Sequence, residues 1–479
     1  MGDLFESYTM GPEWDEMFAA PALPREEARL LAEALGTVAE AELERRCAEA
    51  ARSFRDRGIT FSLSGEERPF PLDPVPRLIR HDDWRIIEAG VTQRVRALEA
   101  FLADAYGQGE VFDDGVVPRS VVLTSKHFHR AAWGIGHPGD PRIHVAGIDL
   151  VRGPDGRFLV LEDNLRIPSG VSYVIENRRL MARIFPELFN AQRVRPVAEY
   201  PEKLLSALKA SARSGGPDPK VVLLTPGIHN PAYSEHVFLA RQMGVDLVEG
   251  ADLRCRDNMV WLRTTKGDQR VDVLYRRVDD EYLDPVHFRP ESVLGCPGVL
   301  NAARANNVII ANAVGNGVAD DKLVCTYVGD MIRYYLGEKP LLESPKTYRL
   351  AEPEQMSEAL ARMDQLVFKP VDGSGGKGLV FGPDAKDSEL EQLRRLIHSD
   401  PRSWIAQEVI RLSCVPSRTP DGLRPRHVDL RPFAINDGNR IWVMPGGLTR
   451  VSQSGESLVV NSSQGGGSKD TWVLTEPPC

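Results

Sequence analysis

The chain has 479 residues, of which 42% are hydrophobic and 27% charged, with a formal net charge of −9. At ~150 residues per domain this length points to about three folded units of ordinary globular composition. A net acidic chain is not one built mainly around nucleic acid, and no apolar run approaches the ~20 residues that span a bilayer.

The N-terminus, MGDLFESYTM, lacks the basic-then-apolar build of a secretory signal, and Glu6 stands where a myristoylation motif requires Ser or Thr. Residues 25–57, rich in Ala, Leu, Glu and Arg, predict one long helix ended by Gly58. A second helix is expected from near Asp82 to about Tyr106, N-capped by Asp82 or Asp83 and stopped by Gly107. Between them FSLSGEERPFPLDPVPRLI carries four prolines and predicts an extended connection. From about residue 143, IHVAGIDLV, GPDGR and FLVLEDN read as two strands joined by a tight turn. In the second of them Glu162 and Asn164 share one face and Asp163 takes the other, and the turn brings Asp149 beside Glu162. Two carboxylates and one amide are the hard oxygen donors that Mg²⁺ takes alongside phosphates and water; a purely structural trio is the alternative.

Residues 196–300 alternate strands with helices: KVVLLTPG, then SEHVFLARQMG closing on Gly244, then VDLVEG, and VDVLYRRV over 271–278. This order predicts a largely parallel sheet. The turn after Leu224 then lies at a strand's carboxyl end, where it either holds a ligand or is only a turn. The densest glycine usage follows in 301–479. In VFKPVDGSGGKGLVFG (367–382) an apolar strand delivers Lys369 into a loop whose Gly373, Gly375, Gly376 and Gly378 let backbone N–H groups turn inward on an anion. Ser374 adds a hydroxyl. The loop fits neither the Walker nor the Rossmann pattern, and a glycine-rich hairpin without a ligand is the plainer reading. In WIAQEVI (404–410) a polar pair, Gln407 and Glu408, interrupts an apolar strand, which suits an adenine read by backbone groups of Glu408 and Val409. HVDLRPFAI places Asp429 and Arg431 on one strand face, and Arg450 and Asn461 follow in PGGLTRV and LVVNSSQGGG. Surface ion pairs are the alternative for both arginines. The cysteines (Cys47, Cys255, Cys296, Cys325, Cys414, Cys479) form no C-x-x-C pair, so neither a disulfide scaffold nor a zinc site is expected, and the expected compartment is a reducing cytoplasm.

Taken together, Asp321-Lys322, Pro345-Lys346-Thr347, Phe368-Lys369-Pro370 with its glycine loop, Gln407-Glu408-Val409, Asp429-Leu430-Arg431, Arg450 and Asn461 resemble the ordered motifs of ATP-grasp ligases. The module that closes those ligases, AGIDL with LEDNLRIPSG, here stands some 300 residues earlier. The chain therefore resembles the circularly permuted type-2 ATP-grasp family, relatives of glutathionylspermidine synthetase, from about residue 60 to the end. The resemblance implies an α/β (α+β) circularly permuted ATP-grasp fold with a Rossmann-like pre-grasp α/β domain and an N-terminal helical region. The implied units are 1–109 (helical), 110–195 (metal-binding part), 196–319 (pre-grasp) and 320–479 (nucleotide-binding part).

It further implies ATP between two sheets, adenine at 407–409, phosphates under the loop, and Lys322 and Lys369 on the α/β phosphates. Asn461 joins the nucleotide set, and Mg²⁺ falls to Asp149, Glu162 and Asn164. The implied reaction makes an acyl phosphate from a small-molecule or peptide carboxylate, clamped by Arg431, Arg450 and Arg166, and an amine then displaces phosphate. Neither nucleic acid nor a membrane is an expected partner. A PSG sequence replaces the usual P-G and Arg166 precedes it, which sets the acyl site apart. No segment resembles the amidase half of the glutathionylspermidine enzymes. An ATP-grasp phosphotransferase and a non-catalytic nucleotide-binding regulator are the competing readings.

Overall fold

The computed structural model describes the whole chain except residues 1–2, 6–7, 59, 64–65, 70, 137–138, 214–215, 374–377, 454, 456–459, 461–465 and 477–479. The elements that position the site begin with β1 (Leu72–Ile79), α1 (His81–Ala105), β2 (Val145–Arg152), β3 (Phe158–Asn164) and α2 (Val171–Ile184). Next come α3 (Tyr200–Ala210), β4 (Val221–Leu224), α4 (Tyr233–Met243), β5 (Asp246–Val248), β6 (Val273–Arg276) and β7 (Ile309–Ala311). The last are β8 (Thr347–Arg349), β9 (Leu366–Pro370), β10 (Val380–Phe381), β11 (Trp404–Glu408), β12 (Gly422–Arg431), β13 (Phe433–Asn436), β14 (Ile441–Val443), β15 (Leu448–Val451) and β16 (Gly467–Val473).

The largest sheet runs β14-β13-β2-β12-β15-β16-β1, with β3 paired to β2 and the strand Cys414–Thr419 paired to β12. β12 and β13 form one antiparallel run along β2, from Asp429 opposite Val151 to Phe433 opposite Gly147. Pro432, which has no N–H to give, interrupts it. β1 carries Pro74 and Pro76 and is tolerated because it lies at the sheet's edge, parallel to β16. Behind this sheet α1 buries Trp84, Ile87, Val91, Val95, Leu98 and Leu102, spaced three and four apart, in one core with Ile148 and Leu150. Each such side chain is worth roughly 1.5–3 kcal/mol of transfer energy before entropy is counted.

A second sheet, β7-β6-β4-β5, is parallel throughout, as the strand–helix alternation requires. Its core is continuous with the first sheet: Val221, Leu223 and Val273 pack with Val174 and Ile175 of α2 and with Val145 and Phe433. The third strand is shorter than 271–278, because an antiparallel meander (Leu253–Arg256, Met259–Thr264, Gly267–Val271) occupies the residues before it. A third sheet, β8-β11-β9-β10, is antiparallel. On one face it packs Tyr348, Phe368 and Ala406 against Leu360 and Ile397 of two helices.

The N-terminal region differs from expectation in three ways. Residues 25–57 form two helices, Arg29–Gly36 and Glu40–Asp56, because the chain turns extended at Ala39 just after Gly36. Arg80 is the N-cap of α1 and makes no side-chain cap bond; Asp82 and Asp83 lie in the first turn, where a carboxylate favours the helix dipole. The region is also not purely helical, since it carries two hairpins as well as β1.

Candidate active site

Strand alternation puts Thr347, Val367, Lys369, Ile405 and Gln407 on the face of the third sheet opposite its helices. Lys369 Nζ donates to Gln407 Oε1 at 2.6 Å, and Gln407 Nε2 donates to Thr347 Oγ1 at 3.0 Å. Burial pulls the Lys369 ammonium down from its ordinary 10.5 to about 8, Lys322 pushes the same way, and Glu162 opposes them. Asp321 caps the short helix Lys322–Cys325 by accepting from Leu323 N at 2.9 Å, and so fixes the start of Lys322. Lys322 Nζ donates to the carbonyl of Gly373 and stands 3.8 Å from Glu162 Oε2. The glycine loop and the β2–β3 hairpin therefore face one another across a single lysine. Gly373 lines the cavity; Ser374, Gly375, Gly376 and Asn461 lie outside the described residues.

The hairpin delivers the acidic trio as its alternation predicts. Asp149 pairs directly with Glu162, and Gly147 with Asn164. Asp163, on the opposite face, is taken by Arg94 at 2.6 and 2.8 Å. Two guanidinium groups hold Asp149: Arg431 binds both its oxygens at 2.5 and 2.7 Å, and Arg450 reaches Oδ2 at 2.7 Å. Arg450 also grips Asp429 at 2.9 Å. Burial acts to raise the Asp149 carboxyl, but Arg431 and Arg450 outweigh it and hold the group well below the carboxylate range. Burial, and then Asp149 beside it, push Glu162 up. Gly147 is small of necessity: a Cβ there would sit 3.0 Å from Pro168 Cβ and 3.2 Å from Arg431 Cδ.

One cavity of about 400 Å³ is lined by all of these groups: Asp149, Glu162, Asn164, Arg166, Lys322, Lys369, Gly373, Gln407, Glu408, Arg431 and Arg450. Arg166, two residues beyond Asn164, donates to Asp320 at 2.9 Å and lies 3.5 Å from Asp279. Sequence reasoning missed the apolar part of the lining, formed by Val367, Leu379, Phe381, Ile410 and Leu412, and missed His127 and Asp320. The apolar residues flank recognised motifs and had that much signal; His127 had none. At the predicted adenine segment the Glu408 N–H is already bonded to the Lys346 carbonyl at 2.9 Å, so it is not free to read a base. The Val409 side chain does not line the cavity, whereas Ile410 does. The turn after Leu224 borders a different cavity of about 900 Å³, lined by Ile228, His229 and Asn230 with Arg57, Glu176 and Arg179.

The acidic trio fits a hard divalent cation. Glu162 and Asp149 crowd two carboxylates together, and the Asn164 side chain makes no hydrogen bond among the described residues, which leaves its amide oxygen, the atom a cation would take, uncommitted. Among the described residues no cluster of three His, Cys, Asp or Glu side chains forms, so phosphate and water oxygens would have to complete the shell.

A family profile described as circularly permuted ATP-grasp type 2 matches residues 76–452. The chain belongs to that family. Its membership accounts for the hairpin of residues 145–164 sharing a cavity with motifs that lie beyond residue 320. An uncharacterised protein of Mycobacterium tuberculosis is 58% identical over 461 residues, covering 96% of this chain and 84% of that protein. A protein of Frankia casuarinae whose name proposes a glutamate–cysteine ligase is 46% identical over 464 residues, but this chain spans only 53% of its length. Among solved structures, a glutathione synthetase-like effector from Globodera pallida in its apo form superposes with a TM-score of 0.59. That match covers 91% of this permuted ATP-grasp chain and 98% of the effector at 14% identity, a likeness of fold alone. Among the described residues no helix is long and apolar enough to cross a membrane.

Proposed function

We propose that the chain is an ATP-dependent, ADP-forming carboxylate–amine ligase that works through an acyl phosphate. The observation that carries this reading is the shared cavity, in which two lysines stand on one wall and the Asp149–Glu162–Asn164 trio with Arg431 and Arg450 on the other. The apolar end at Val367, Phe381 and Ile410 takes the adenine ring. Lys322 and Lys369 neutralise the polyphosphate beside Gly373. Mg²⁺ held by Asp149, Glu162 and Asn164 would offset charge on the phosphate oxygens as the γ-phosphoryl moves. Arg431 is bonded to both oxygens of Asp149 through its planar two-point fork; once Mg²⁺ takes those oxygens, the fork would be freed to hold a substrate carboxylate against the γ-phosphorus. Arg450 fixes Asp149 and Asp429 in place, and Arg166 faces the acyl group from the far side. On this reading the working parts are residues 110–195 and 320–479, with 196–319 as the pre-grasp unit and 1–109 outside the chemistry.

The test is ADP and phosphate release with Mg²⁺-ATP against a matrix of amino acids, peptides and polyamines, followed by mass spectrometry of the products. L-glutamate and L-cysteine head the matrix because the Frankia relative is named for them. A ligase releases ADP only when an acid and an amine are supplied together. ADP release driven by a single hydroxyl acceptor would replace this reading with a phosphotransferase, and no turnover would replace it with a regulator.

A further inference from the structure

The cavity is also lined by His127, which no motif accounts for. Glu162, Asn164 and Arg166 follow one another at every second residue in the same lining, and His127 stands against Arg166. A single glycine shows how close the two are. A Cβ at Gly317 would meet Arg166 Cδ at 2.6 Å and His127 Cβ at 2.9 Å, so both side chains lie on its bare Cα, and the GNGVADDK segment needs glycine there. The His127 backbone N–H is tied to Ser125 Oγ at 3.3 Å, and the neighbouring Lys126 is ion-paired to Asp372, at the mouth of the glycine loop, at 2.6 Å. The segment that carries His127 is thus tied to Ser125 and to Asp372. Among the described residues its ring makes no hydrogen bond, although it is half-buried in a wall where Arg166, Asp320, Arg431 and Arg450 are all paired.

We propose that His127 is the general base that takes a proton from the attacking amine. The proposal rests on the ligase reading above. With Arg166 set against the acyl group, the amine reaches the acyl carbon on the side where His127 stands against Arg166. The cognate amine arrives as an ammonium and sheds two protons in all. The imidazole accepts the first and frees the lone pair; the second leaves for solvent or the departing phosphate as the C–N bond forms and the C–O bond to phosphate breaks, with phosphate keeping the electron pair. The groups facing the ring are Arg166, Asp372, Asp321 and Asp280, with Lys126 next in sequence. Burial, and then Arg166, hold the imidazole below its ordinary 6.5 against those three carboxylates, so it is neutral and able to accept a proton at neutral pH.

The test compares two nucleophiles in wild type and His127→Gln, using the acid found by the screen: the cognate amine, which must be deprotonated, and hydroxylamine, which is largely unprotonated at neutral pH. Amide formation in His127→Gln should fall on the order of 10²-fold and lose its acidic limb, while hydroxamate formation stays within about threefold of wild type. Equal losses with both nucleophiles would make His127 a binding or structural residue and overturn the proposal, as would no loss with either. ATP binding by calorimetry, unchanged in the variant, separates a folding defect from a chemical one. If wild type releases no ADP and forms no hydroxamate with any acid of the matrix, the ligase reading itself fails and its base with it.

Discussion

The ammonium of Lys369 gives the nucleotide assignment a signature in pH. Burial among the cavity walls lowers it from 10.5 to about 8, so above pH 8 the cavity loses the charge that should meet polyphosphate. A bound polyphosphate favours the charged form and raises the same group back toward its ordinary value. Affinity for ATP is therefore fully present below about pH 8 and falls about tenfold per pH unit above it. The full span of about 2.5 pH units corresponds to roughly 3 kcal/mol. Calorimetric titration with a non-hydrolysable ATP analogue in excess Mg²⁺, between pH 7.5 and about 9.5, should show an affinity loss of about twentyfold. Lys369→Arg, which stays charged throughout, should bind with little pH dependence over that range. A flat wild-type profile, or an equal slope in the arginine variant, would show that Lys369 does not face the phosphates.

Glu162→Gln should fold normally, being nearly isosteric, yet lose most turnover by removing one anionic donor from the trio; near-wild-type turnover at saturating Mg²⁺ would make the trio structural. Arg431→Lys keeps the charge but loses the two-point grip on a carboxylate, so ATP should bind almost as in wild type while ligation slows on the order of 10²-fold. Lost ATP affinity with an unchanged rate would instead make Arg431 a nucleotide ligand. Arg94→Met should leave Asp163 charged and unpaired in the core, where side-chain exposures of 4% and 0% admit no water, and should cost about 3–5 kcal/mol in chemical denaturation. A loss below ~1 kcal/mol would mean that Asp163 finds another partner or a proton.

Much of the site was legible because its geometry is local. Period-two alternation and a Gly/Pro/Asp turn were enough to place Asp149 beside Glu162 and to send Asp163 to the other side. The run into Lys369 and the interruption at Gln407 each read correctly as a strand for the same reason; that the two pair is shown only by the sheet. What failed was decided by distant partners. Nothing near Asp149 announces that Arg431 and Arg450 will fill its oxygens, and nothing near Asp163 points to Arg94. The broken helix at 36–40 lay within a good helical composition, where Gly36 was the one local warning. The meander over 253–271 has short, mostly polar strands whose pattern is weak beside the apolar β4 and β6. The apolar cavity wall at Ile410 and Leu412 becomes a site only once β9 and β11 bring Val367 and Lys369 opposite it.

The permuted order costs the fold little, for a reason that lies in polymer physics. Arg431 grips Asp149 across 282 positions. If the same strands followed one another within ~20 residues, the separation would shrink by fewer than four doublings, and each doubling of a loop costs only ~0.6 kcal/mol. The difference, ~2 kcal/mol, is an upper bound, because the intervening residues fold into the parallel sheet and shorten the effective loop. The sheet itself records register and direction: Phe433 must face Gly147, and Asp429 must face Val151, whichever comes first in the chain. The arrangement does change how the site depends on the whole fold. Its acidic hairpin and the arginines that hold it come from opposite halves of the chain, and the sheet joining them also holds β1 beside β16, from near the two ends. No local segment can keep the cavity once that sheet opens. Nucleotide binding is thus linked to global unfolding, and ATP at 100 times its dissociation constant should raise stability by about 2.7 kcal/mol.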